Sequence, residues 1–173
     1  KAPERAGFSA EKLQAFSEQA GGAGCVVHGG RMIHGWGDTA FRNDVASSIK
    51  PIYAFLTFEA IEEGRIASLD ERVVKWVPEL AELNPELGST ECEITFRHLL
   101  SQTSCYGLME DTGAAFAYND YATGLLVWTL FYRVYGLPPE RYDELLNGER
   151  LGGVLGFEDR PTATHPNSTR GRI

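Results

Sequence analysis

Cysteine is scarce in this chain, and so are basic residues, methionine and long apolar runs. The three cysteines, Cys25, Cys92 and Cys105, form an odd set without paired spacing, which excludes a disulfide framework. Cys25 and His28 have the gap of half a metal site, but structural zinc draws four ligands from matched pairs and no second half follows. No metal or other cofactor is expected. Sixteen Lys and Arg stand against 24 Asp and Glu, a formal net charge of -8, which argues against a sequence-independent grip on nucleic acid and against an anionic membrane surface. No apolar run reaches the length of about 20 residues that crosses a bilayer, so no membrane insertion is expected. The first residues, Lys1-Ala-Pro-Glu-Arg5, lack the apolar core of a signal peptide. There is no internal repeat, no low-complexity segment and no Gly-x-Ser-x-Gly elbow.

What is present suits a folded domain: 173 residues, 43% hydrophobic and 23% charged, enough for one hydrophobic core. Ser9 to Ala20 reads as a capped amphipathic helix with Leu13 and Phe16 on one face. Gly24 to His28 and Arg31 to Trp36, joined by Gly29-Gly30, read as a β-hairpin belonging to a sheet. Ser47 to Glu63 carries apolar residues on more than one face, and such a helix is expected to be buried. Leu69 to Leu80 is predicted as a short helix stopped by Pro78, and Thr95 to Ser101 as another brief one. Tyr121 to Tyr135 is predicted as a long apolar helix, Glu140 to Asn147 as one or two more turns, and residues 160–173 as a loop-like tail. The expectation is α+β: a sheet-side part over 1–46, a mainly helical part over 47–159, and the tail.

Ser47 and Lys50, in Val45-Ala-Ser-Ser-Ile-Lys-Pro51, lie one helical turn apart, so the lysine nitrogen can reach the serine hydroxyl. A serine hydroxyl attacks a carbonyl only if a neighbour removes its proton, and lysine can do so once its environment lowers its basicity. The spacing alone is common: Ser9-Ala-Glu-Lys12 has it too, but there it opens a solvated surface helix, where a cap and a soluble lysine are expected. Ser47-Ser-Ile-Lys50 opens the most apolar helix of the chain, where a lysine needs a partner or a role.

Over roughly residues 7–160 the chain resembles the serine β-lactamase and penicillin-binding family, particularly its class C branch with related esterases and D-alanyl peptidases. The resemblance rests on an ordered series: Ser47-Ser-Ile-Lys50, Glu59 to Asp70, Val73 to Leu80, Ile94-Thr-Phe-Arg-His-Leu-Leu-Ser-Gln-Thr-Ser104, and Tyr118-Asn-Asp120. It implies an acyl-enzyme mechanism with Ser47 as nucleophile, Lys50 as base and Tyr118 as proton relay, Asp120 in the substrate-binding position, and the Ser47 N–H as half of an oxyanion hole. It also implies a periplasmic or secreted setting. Three departures accompany it. Asp120 stands where the family has an amide, and offers only acceptors. Gln102-Thr-Ser-Cys105 replaces His-Thr-Ser-Gly. The family's third motif and C-terminal strands are absent from this chain, which is therefore expected to be an incomplete β-lactamase-like domain, 1–173.

Two functions follow. One is a serine hydrolase acting on a small-molecule or peptide-like ester or amide, with esterase or peptidase chemistry favoured over efficient β-lactam hydrolysis. The other is a non-catalytic module of the same fold that binds a ligand, self-associates, or meets a partner chain that completes its sheet. A Ser-His-Asp site built on His98 or His34 is disfavoured, because His98 falls in a helix where it packs or caps.

Overall fold

The computed structural model describes residues 3–41, 44–85, 88 and 90–163, so the expected tail lies outside the described residues from 164 onward. The chain forms two compact units, Lys1–Asp44 and Val45–Ile173.

In the first unit, helix α1 (Ala10–Ala20) is capped by Ser9, whose side chain accepts the Lys12 N–H at 3.2 Å. Its Leu13 is buried, while Phe16 stays 52% exposed and meets Trp36 edge-on. Strands β1 (Gly24–His28) and β2 (Arg31–Trp36) pair antiparallel. Gly29 and Gly30 both take positive φ, 55° and 69°, as a two-residue type I′ turn demands. Gly24 is required by packing: a Cβ there would lie 2.5 Å from the Trp36 ring. This two-stranded sheet is the sheet of the described residues.

In the second unit, helix α2 (Lys50–Glu62) follows a 3₁₀ turn over Ala46–Ile49. Its Tyr53, Leu56, Thr57 and Ala60 follow helical spacing and bury one face. The opposite face keeps Phe55 40% and Phe58 55% exposed, which corrects the expectation of a fully buried helix. The buried face joins a core with Ile66, Val73, Ile94, Phe96, Leu126 and Phe131.

The helix expected over Leu69–Leu80 is instead two 3₁₀ turns, Val73–Lys75 and Pro78–Glu82. Arg72 is extended and bridges Thr95, and Val73 N–H donates to Ile94 O at 2.8 Å, so a donor that a helix would use is spent across the core. Two adjacent β-branched valines add to the bias, and Pro78 has no N–H to give. Helix α3 (Phe96–Leu100) has a capping box in which Thr95 and His98 bond each other's backbone N–H. Helix α4 (Asp120–Val127) runs on as a π-helix over Trp128–Val134, a widened continuation of the predicted long apolar helix. Helix α5 (Tyr142–Asn147) lays Tyr142, Leu145 and Leu146 on the core. Among the described residues no helix is long and apolar enough to cross a membrane.

Candidate active site

Ser47 sits inside the 3₁₀ turn that leads into α2, and the residue before it, Ala46, has φ of 45°. A non-glycine residue in the left-handed region stores strain, a feature that clusters at functional sites. In the turn Ser48 N–H donates to Val45 O at 2.9 Å, and Ser47 lies in the first turn of the helical run, at its positive end. Lys50 is the first residue of α2, with Pro51 pre-setting φ for the opening turn.

Tyr118 arrives from another part of the chain, just before Asn119, whose Oδ1 caps α4 by accepting Ala122 N–H at 2.7 Å. Its hydroxyl lies 2.5 Å from Ser47 Oγ, and Lys50 Nζ donates to that hydroxyl at 2.7 Å and to Ser47 Oγ at 3.1 Å. The three polar atoms form a closed triangle, each within hydrogen-bond reach of the other two. Lys50 Nζ also lies 4.7 Å from the Tyr118 ring centroid. Tyr118 is 51% exposed, so the triangle is open to solvent and to an incoming molecule.

The groups around Tyr118 pull its phenol down from the ordinary value. The hydrogen bond from Lys50, and after it the one with Ser47, hold the Tyr118 hydroxyl below the ordinary phenol range, while the charge of Asp120 pushes the other way. Asp120 is exposed in the first turn of α4, so it meets the triangle as an opposing charge. Beside Lys50 opens a cavity of about 220 Å³ walled by Pro51, Ala54, Leu99, Leu100 and Leu126 and by the polar Gln102 and Thr123.

Of the four residues singled out from the sequence, the fold brings Ser47, Lys50 and Tyr118 together and sets Asp120 on the neighbouring turn. His98 is committed to its capping box, with Nδ1 accepting Thr95 N–H at 3.3 Å, and His34 to Ser17 at 3.1 Å. Sequence reasoning passed over Gln102, which accepts the N–H groups on both sides of Tyr118, Ala117 through its main-chain oxygen and Asn119 through Oε1. The signal was the glutamine in place of the resembled family's histidine, at a site where only the side chain's reach into the Tyr118 segment reveals its use. No curated protein and no solved structure matches the chain. A Beta-lactamase family model matches residues 10–149, more than half of the sequence, and the chain belongs to that family.

Proposed function

We propose that the protein is a serine hydrolase that cleaves an ester or amide through a Ser47 acyl-enzyme. The observation that carries this reading is the Ser47–Lys50–Tyr118 triangle, because a serine becomes a nucleophile when a base is positioned on its proton. In acylation Ser47 Oγ bonds the substrate carbonyl carbon, its proton passes to Lys50, directly or across the Tyr118 hydroxyl, and the oxyanion meets the Ser47 N–H. Collapse breaks the bond to the leaving group, which takes a proton relayed by Tyr118. Water then attacks the acyl-enzyme, the same groups accepting and returning its proton. Asp120 is proposed to face the substrate; as an acceptor it suits a donor such as an amine or hydroxyl rather than a carbonyl. For this reason esterase or peptidase-like chemistry in the class C branch is preferred to efficient β-lactam turnover.

A nitrophenyl ester tests the reading. It should give a burst of nitrophenol matching the amount of protein, followed by slower turnover, and both should vanish in Ser47→Ala. Release that persists in Ser47→Ala would contradict it.

A second reading is a non-catalytic binding or assembly module of the same family. Exposed Phe55 and Phe58 on α2, with exposed Val27 and Met32 on the two-stranded sheet, favour it. That reading expects no burst and concentration-dependent association.

A further inference from the structure

Helix α3 ends in a Schellman pair: Thr103 N–H donates to His98 O at 2.9 Å, and Gln102 N–H to Leu99 O at 3.3 Å. The motif puts its pivotal residue in the left-handed region, and Gln102 has φ of 57°. Glycine is the residue for which that conformation is cheap. A glutamine there is strained, and its side chain, with the whole residue only 7% exposed, is also immobilised.

The side chain supplies the reason for this choice. Gln102 Oε1 accepts Asn119 N–H at 3.1 Å, its main-chain oxygen accepts Ala117 N–H at 2.8 Å, and Nε2 donates to Leu99 O at 3.1 Å and to Thr123 Oγ1 at 3.4 Å. One main-chain carbonyl and one side-chain carbonyl thus grip the backbone on either side of Tyr118, as two rungs of a strand pair would. The Tyr118 ring is half-exposed, so packing around it does not fix the hydroxyl.

We infer that Gln102 is a positioning residue of the site: it clamps residues 117–119 so that the Tyr118 hydroxyl meets Ser47 Oγ and Lys50 Nζ. This rests on the hydrolase reading above and extends it to a residue that touches no reacting atom. Gln102→Gly suits the backbone and removes the side-chain rung. Gln102→Met keeps the volume and removes the same polar atoms. Both should slow acylation of Ser47 by a fluorophosphonate about tenfold to a hundredfold, as small misplacements do, while Gln102→Gly melts no lower than the parent chain. Gln102→Glu, which keeps an acceptor for Asn119 N–H, should recover most of the rate. In a Tyr118→Phe background, Gln102→Gly should cost nothing more. Ring-labelled tyrosine NMR gives a readout independent of activity: the Tyr118 phenol should titrate higher in Gln102→Gly and Gln102→Met, as the bonds from Lys50 and Ser47 that oppose Asp120 loosen. An unchanged Tyr118 titration in both variants, or an equal rate loss with and without the Tyr118 hydroxyl, would overturn the inference. A parent chain that never acylates at Ser47 would instead overturn the hydrolase reading, and the titration would still decide the role of Gln102.

Discussion

Lys50 Nζ stands 2.7 Å from the Tyr118 hydroxyl, although the two residues lie 68 positions apart in the chain. At that distance the pair can hold one proton between them, and ammonium with phenolate differs from amine with phenol only in where that proton sits. The acylation rate should therefore rise with pH as the pair loses one proton. The direction of the Tyr118 shift puts this rise below the ordinary phenol value of about 10. Tyr118→Phe should lower the rate about a hundredfold and remove the shared-proton step from the pH–rate profile. An unaltered profile would separate Tyr118 from the proton path.

Ala46, immediately before Ser47, is held at φ of 45°. Ala46→Gly should stabilise the fold by about 0.5–1 kcal/mol, because the glycine backbone accepts the left-handed region that a Cβ resists. Denaturant unfolding measures this, and a loss of stability would mean that the Ala46 side chain contributes more than the strain costs.

Glu71 anchors the turn between α2 and α3. Its carboxylate, 9% exposed, accepts Trp76 Nε1–H at 2.7 Å, Lys75 Nζ at 3.0 Å and Ala67 N–H at 3.1 Å. Burial pushes its acidity toward weaker, and those donors outweigh burial and hold the carboxyl below the usual range. A lowered folded value means that the stabilisation is complete above the unfolded value of about 4.3 and is lost as pH falls through the folded one. Glu71→Ala should cost about 2–3 kcal/mol at neutral pH by leaving the Trp76 and Ala67 donors unpaired, and should flatten the acid limb of the stability curve. Urea melts at several pH values check both.

The two faces of α2 should respond oppositely. Leu56 is fully buried, so Leu56→Ala should cost about 2–5 kcal/mol. Phe58 is 55% exposed, so Phe58→Ser should cost less than about 1 kcal/mol and should reduce any self-association seen by sedimentation.

The Ser47–Lys50 pair was legible in the sequence because its chemistry is local: a three-residue spacing, here from a 3₁₀ turn into the first residue of α2, sets the reach. Tyr118 was legible only through the resemblance, since its approach depends on chain closure over 71 residues that no periodicity encodes. Gln102 was not legible as a functional residue, because it acts through the backbone of a distant segment. The hairpin and α1 followed from glycine turns and a serine cap, both local rules. The misread stretch over 69–80 shows the limit of such rules: it reads as a short helix stopped by Pro78, but Val73 N–H donates to Ile94 O while the carbonyls of Glu71 and Leu69 accept Phe96 N–H and Arg97 N–H, so its backbone pairs with the segment before α3 instead. For α2, hydrophobicity identified the helix but did not distinguish the buried face from the one on which Phe55 and Phe58 stay exposed.

The central claim is that Ser47, armed by Lys50 and Tyr118, is a nucleophile. Intact-mass spectrometry after exposure to a fluorophosphonate and, separately, to a β-lactam tests it most directly. The account predicts one adduct per chain, mapping to Ser47 and absent from Ser47→Ala, with the Lys50→Met chain reacting at least about a hundredfold more slowly. An unmodified chain, or an adduct that survives in Ser47→Ala, would contradict it.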